Sequence, residues 1–333
     1  MDEPRAPILV EPPPGCREDS VVLTFRVHRQ FSGLRLDRFI QRQIPRISRT
    51  RAQEIIHSCA YRSDGSRRRP SDLVREGEVV LLVRQQFVEP ETPLYFDVLY
   101  QDEAILAVDK PSGLTMHPTA TYHKHTLSHL LKQRYESSGI RGPRIVHRLD
   151  RETSGVVLCG CTIEDERKLK KAFENHQVQK SYLAVVRGRI GPDQGSIELP
   201  IAPKKGGLHL LMEVSRSDQG LEARTDFVVR ERGVGHSLVE LFPRTGRQHQ
   251  LRVHLSEIGH PIVGDKLYGP ERELPFVEYI ETGLTDSLLR RLGHGRQALH
   301  ARGMTFRHPR TEQPFTVTAP LPKDLLELWK NLT

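Results

Sequence analysis

The sequence predicts an α+β fold: a mixed, largely antiparallel sheet in the larger part of the chain, preceded by a small separate unit of helices and short strands. Three observations carry that expectation. From residue 97 onward, strand-like stretches outnumber helical ones. They do not fall into the regular strand–helix alternation that marks a parallel α/β sheet. The charge is also uneven. The 333 residues carry a net +8, yet the segment from Arg26 to Arg69 alone holds twelve arginines, no lysine and three acids (Asp37, Glu54, Asp64), a local +9. An arginine field confined to one short segment suits phosphate contacts, because guanidinium offers a planar fork to phosphate oxygens.

Each element follows in order. Residues 1–21 begin MDEPRAPILVEPPPG, acidic first and proline-rich throughout. They read as a disordered lead-in, neither a secretory signal nor an Arg-rich presequence. Residues 22–84 read as a small domain: strand VVLTFRV, helix LRLDRFIQRQI, helix SRTRAQEIIHSC, then short strands around Tyr61 and at EVVLLV. Ser48 is placed to cap the second helix. Arg49 and Arg51 then fall in its first turn, where positive charge opposes the helix dipole and an anion, phosphate above all, is the natural partner. Residues 85–96 contain two prolines and read as a linker. The larger domain, 97–333, opens with strands DVLYQDE and AILAVDK, then a Gly/Pro/His-rich loop and the helix TLSHLLKQRYES. It continues with strand VVLCGC, helix EDERKLKKAFENH, strand KSYLAVVRGRI, and strands in ARTDFVVRE, HSLVELFP and QHQLRVHL. A polar insertion with a helix is expected at 270–297, and a short amphipathic helix at the end.

Composition excludes several classes. No run approaches the roughly 20 apolar residues of a membrane span. Cys16, Cys59, Cys159 and Cys161 show neither zinc spacing nor a disulfide framework, so a reducing cytoplasm is expected. His117, His123, His125 and His129 form no helical metal-binding pair, and no metal site is expected. GHPIVGDK, 259–266, only superficially resembles a phosphate loop, since Asp265 stands at the lysine position and no Ser or Thr follows Lys266.

Three constellations carry chemistry. In PRIVHRLDRETSGVVLCG, residues 143–160, Asp150 lies between Arg148 and Arg151 at the edge of an apolar strand. It reads either as a turn aspartate or as a shielded carboxylate held ionised by arginine for nucleophilic or base chemistry on a sugar. Glycosidase logic needs a second acid, and Glu152 stands on the wrong side of a tight turn. In PRTGRQHQLRVHL, 243–255, a strand from Gln248 to His254 would direct Arg252 inward as the partner of a buried Asp. Arg244 and Arg247, on the preceding turn, read as surface residues or as phosphate contacts. In KSYLAVVRG, 180–188, Tyr182 reads as core or as a ring on which a base stacks.

HRLDRETSG, AVDKPSGLTMHP (107–118), KSYLAVVRG, RTGRQHQLRVHL, GHPIVGDKLYG and ALHA (298–301) together resemble the RluA-type pseudouridine synthase family, in order and spacing over residues 97–320. GLRLDRFIQRQIPRISRTRAQEII is similar to the S-four-type RNA-binding domain, although Cys59 takes the place of its usual glycine. The resemblance implies isomerisation of uridine to pseudouridine in RNA, without cofactor or metal. Large-subunit ribosomal RNA is the first expected substrate and transfer RNA the second. It also implies Asp150 as the catalytic aspartate, Arg252 as its partner and Tyr182 as the residue that stacks on uracil and assists removal of its C5 proton. Arg148 would fill the gap left by the flipped nucleotide. Arg247, with Arg35, Arg38, Arg49 and Arg51 of the small domain, would bind RNA. A monomer is expected. Two rival readings are a non-catalytic ribosome-assembly factor on the same fold, and a metal-dependent hydrolase built on Asp150 and the histidines.

Overall fold

The structure is a computed structural model and describes residues 12–16, 20–44, 47–84, 89–119, 121–136, 142–204, 208, 210–217 and 220–333. Most of the expected lead-in, 1–11 and 17–19, and part of the expected linker, 85–88, lie outside the described residues. The chain divides into two units, Met1–Glu89 and Pro90–Thr333.

The first unit contains β1 (Val21–Arg26), α1 (Leu36–Gln43), α2 (Arg49–Cys59), β2 (Ala60–Tyr61) and β3 (Val79–Arg84). The strands form an antiparallel sheet in the order β1-β3-β2. Leu36, Phe39 and Ile40 recur at helical spacing and are fully buried, together with Ala52 and Ile56 of α2. Ser48 caps α2 by accepting a hydrogen bond from the Arg51 N–H at 3.1 Å.

The second unit is built on a ten-stranded sheet. Its strands are β4 (Asp97–Gln101), β5 (Ile105–Lys110), β6 (Arg144–Ile145), β7 (Ser154–Gly160), β8 (Gln179–Arg187), β9 (Gln194–Glu198), β12 (Arg224–Arg232), β13 (His236–Pro243), β14 (Leu299–Arg307) and β15 (Pro314–Thr318); β10 (Ile201–Pro203) and β11 (Met212–Val214) form a separate hairpin. The order is β4-β5-β7-β14-β8-β13-β12-β9, with β15 added to β14 and β6 to β7. Among the described strands of this sheet only β7 and β14 pair in parallel, so the sheet is mixed and largely antiparallel. The helices are α3 (Leu127–Glu136), α4 (Ile163–Glu174), α5 (Gln250–Glu257), α6 (Leu274–Thr282), α7 (Asp286–Leu292) and α8 (Lys323–Lys330). Residues 270–297 thus hold two helices where one was expected.

The run SGVVLCG of β7 is buried at every residue, because the strand lies between β5 and β14. At its start the approach to β14 is so close that a Cβ on Gly155 would sit 2.2 Å from the Ala301 carbonyl oxygen, and its φ of +112° also favours glycine. This contact anchors the loop that carries Asp150. One expectation is overturned: Gln248–His254 is not a strand. Residues from Gln250 onward form α5, and His249 is its N-cap.

Candidate active site

Asp150 sits on the loop between β6 and β7, and three devices hold that loop in place. The buried Lys110 ammonium, at the end of β5, donates to the carbonyls of Pro111 (2.9 Å), Leu114 (2.9 Å) and Arg151 (3.0 Å). The Gly113 N–H also donates to the Arg151 carbonyl, and the Ser112 hydroxyl to that of Glu152. This is the local reason for a Lys-Pro-Ser-Gly loop: its lysine is saturated by backbone oxygens of two loops. Burial, with Arg296 adding repulsion, pushes the Lys110 pKa down to about 7. On the far side of the turn, Glu152 accepts from Lys266 at 2.8 Å and from the Gln297 N–H at 3.2 Å. Its two oxygens are thus taken up by Lys266 and Gln297, although Glu152 lines the same cavity as Asp150.

The centre is a buried chain of three charges. Arg252, on α5, donates Nη1 to Asp150 Oδ2 at 2.9 Å and grips Asp265 with Nε (2.7 Å) and Nη2 (2.9 Å). Asp265 Oδ1 also accepts the N–H groups of Leu267 and Tyr268. The Tyr268 ring lies under the guanidinium, 4.9 Å from its centroid. Burial works to raise the pKa of Asp150, but the Arg252 charge, with lesser contributions from His249 and Gln297, outweighs it and holds the carboxyl below its ordinary range. The same opposition of burial and Arg252 keeps Asp265 ionised. Arg252 itself is pushed above its ordinary value, because the two carboxylates outweigh burial. The expected Asp150–Arg252 pair is present, but a helix rather than a strand delivers it.

Asp150 lies on the wall of two open cavities, of about 760 and 620 Å³. The first is also lined by His117, Lys266, Phe276 and Gln297. The second is lined by Lys180, Tyr182, Arg247 and Phe173. Arg148, exposed, and His249 border both. Tyr182 is on β8, and burial, with the Asp150 charge adding to it, raises its phenol well above the ordinary value. It remains a neutral ring beside the carboxylate. Arg247 is tied by its Nε to the Glu222 carbonyl. Arg244 is paired with Asp226 instead of facing either cavity.

In the first unit the arginines are partly engaged. Asp37, fully buried, accepts from Arg35, Arg49 and Gln53. Arg51 pairs with Glu54 at 2.8 Å, and Arg38 is exposed. The anion that Arg49 meets in this structure is thus a carboxylate of the chain itself.

Sequence reasoning missed Asp265, Tyr268, His249 and Lys110 as parts of the site. GHPIVGDK, 259–266, does not read as a phosphate loop, but GHPIVGDKLYG, one of the motifs of the family resemblance, holds both the Asp and the Tyr and was the signal. Among the described residues no group of three or more His, Cys, Asp or Glu side chains is arranged to hold a metal ion, and no helix is long and apolar enough to cross a membrane.

A family described as RNA pseudouridylate synthase matches residues 104–257, which span Asp150, Tyr182 and Arg252. The ribosomal large subunit pseudouridine synthase D of Xylella fastidiosa is 38% identical over 304 residues, covering 89% of this chain and 88% of that protein. Its namesake in Xanthomonas campestris is 37% identical over 308 residues, covering 90% and 89%. Among solved structures, human RNA pseudouridylate synthase domain containing 4 superposes with a TM-score of 0.56 at 27% identity, over 71% of this chain and 92% of that one.

Proposed function

The chain belongs to the RNA pseudouridylate synthase family, of RluA type, and is an enzyme that isomerises uridine in RNA; from that premise we propose that its substrate is large-subunit ribosomal RNA and its reacting group Asp150. The relatives named as ribosomal large subunit synthases match most of this chain at 37–38% identity, which supports that substrate class. The observation that carries the catalytic reading is the inequality of the two Asp150 oxygens. Oδ2 is held by Arg252, whereas Oδ1 is not and lies 3.9 Å from His249 Nε2. The isomerisation detaches uracil from the ribose anomeric carbon, rotates it and rejoins it through carbon 5. An ionised, fixed carboxylate serves it either by attacking the sugar or base, or by removing a ribose proton, and in both cases Oδ1 is the acting oxygen. Tyr182, kept neutral, stacks on the uracil; a raised phenol pKa makes a tyrosinate base for the C5 proton unfavourable. Arg148 enters the space left by the extruded nucleotide, and Arg247 lines the same cavity for a phosphate.

Residues 22–84 act as an S-four-type RNA-binding domain, joined through 85–96 to the catalytic domain, 97–333, and Arg35, Arg38, Arg49 and Arg51 meet the RNA backbone. The enzyme works as a monomer in the cytoplasm. Pseudouridine mapping of total RNA from cells lacking the gene, complemented by wild type or Asp150→Asn, tests this reading. Large-subunit ribosomal sites that return only with wild type are expected. Sites confined to transfer RNA would replace the substrate, and the absence of any site would favour an assembly factor.

A further inference from the structure

We propose that His249 is a positioning residue for the isomerisation, held by Tyr268 as the uncharged Nε2–H tautomer so that this N–H serves the Asp150 oxygen left open by Arg252. The inference rests on the reading of Asp150 as the reacting carboxylate.

Hydrogen-bond accounting assigns the tautomer. The Tyr268 hydroxyl has two partners, the Met212 N–H at 2.9 Å and His249 Nδ1 at 2.7 Å. A backbone N–H only donates, so the tyrosine oxygen accepts from Met212. If Nδ1 carried the imidazole proton, the same oxygen would accept twice and its buried O–H would have no acceptor in this pair of contacts. The arrangement that satisfies every group has Tyr268 donating to Nδ1, which leaves the proton on Nε2. Nε2 lies 3.9 Å from Asp150 Oδ1. That is longer than a hydrogen bond, and such contacts commonly tighten when substrate closes the site.

The backbone points to the same use. His249 is the N-cap of α5 with φ of +54°, a left-handed conformation unusual outside glycine, and its side chain makes no cap hydrogen bond. A residue held there without capping its helix has its ring committed elsewhere, edge-on to Tyr268 at 5.5 Å between centroids and bordering both cavities. The charges acting on it are Arg252, Asp150, Asp265 and Arg148. Burial, with Arg252 next, lowers its pKa to about 4, so near neutrality it acts as a donor and not as a cation.

The test uses total RNA from cells lacking the gene, labelled with uridine tritiated at carbon 5, because that tritium is released when carbon 5 becomes the glycosidic atom. Single-turnover rate and half-saturating enzyme concentration are measured separately. His249→Ala is expected to lower the rate by about 100-fold, at the low end for a lost preorganised donor, with half-saturation changed less than about threefold. His249→Gln, whose amide N–H reaches the Nε2 position, restores most of the rate. His249→Asn, which suits the left-handed backbone but is too short to reach, does not. Tyr268→Phe lowers the rate in the wild-type background and has little effect in His249→Gln, where no tautomer needs fixing. The ¹⁵N shifts of His249 report an Nε2–H imidazole in wild type and a changed tautomer balance in Tyr268→Phe. A wild-type rate for His249→Ala, rescue by Asn but not Gln, or an Nδ1–H imidazole in wild type overturns the inference. An inactive Asp150→Asn beside a fully active His249→Ala overturns this inference alone, whereas an active Asp150→Asn removes the reading of Asp150 and this one with it.

Discussion

Both units of the protein join arginine to aspartate, in opposite proportions. In the N-terminal unit one fully buried acid, Asp37, gathers two arginines that stay 41% and 46% exposed, Arg35 and Arg49. In the catalytic unit one buried arginine, Arg252, is bracketed by two acids, of which Asp265 is fully buried and Asp150 is 22% exposed. The surplus differs accordingly. Around Asp37 it is unpaired guanidinium N–H facing water, which is what a phosphate backbone requires. Around Arg252 it is the Asp150 oxygen that Arg252 does not hold, on a residue that lines both cavities, which suits a covalent or proton-transfer step. The minority partner in each cluster is the organiser, and on the function proposed above the capacity left over on Arg35, Arg49 and Asp150 is what meets RNA.

The comparison is broken most severely by Arg252→Leu. This change leaves Asp150 and Asp265 buried without their cation, and a loss of about 3–5 kcal/mol in urea unfolding at pH 7 is expected, as for other broken buried pairs. Activity should fall by at least about 100-fold. The sign with pH is fixed. In wild type both carboxyls are held below their ordinary range, so their contribution is complete above pH ~4 and is lost as the pH falls through their folded values. In the variant burial is opposed only by the Leu267 and Tyr268 N–H groups at Asp265 and by Gln297 at Asp150, and it raises both carboxyls, so the stability deficit is largest at pH 7 and shrinks as the pH drops below about 5. A deficit independent of pH would show that Arg252 packs but does not compensate charge.

Asp37→Asn breaks the other cluster. Burial opposes the Asp37 charge, and hydrogen bonds from Arg35, Gln53 and Arg49 outweigh it to keep its pKa well below the ordinary value. RNA affinity at low salt should fall by about 3- to 10-fold, through loss of organised arginines, with the single-turnover rate at saturation unchanged. Equal loss of rate and affinity would contradict the division of labour. The smallest effect sharpens the comparison. Arg38→Ala removes an exposed arginine outside the Asp37 cluster, and it should reduce the salt dependence of RNA binding by about one counterion without affecting Asp37-dependent stability.

Much of the fold was legible from the chain alone. α1 followed from LRLDRFIQRQI, α2 from Ser48 before RTRAQEII, and α4 from EDERKLKKAFENH. β7 followed from an unbroken apolar run. The failure at 248–254 has a definite cause. Gln250, Leu251, Arg252, Val253, His254 and Leu255 are all buried, so polarity does not report which side of α5 faces the core. The apparent alternation of Leu251, Val253 and Leu255 was therefore uninformative. The polar residues are admitted because each finds a partner: Gln250 with Thr245 and Thr225, His254 with Thr225 and the Leu199 carbonyl.

By itself the sequence determined which residue types the site would hold: an aspartate in an arginine-flanked turn, an arginine in a later motif and a tyrosine on a strand. It also determined that one short segment would carry the positive excess. Only the tertiary structure decided that Arg252 has two acids, that Asp265 and Tyr268 belong to the site, that Lys110 fastens the Asp150 loop and that Glu152 is taken up by Lys266 and the Gln297 N–H. Local pattern reflects solvent exposure and backbone preference. The meeting of residues 150, 252 and 265 depends on how the sheet and α5 close around one buried charge, and no periodicity records that.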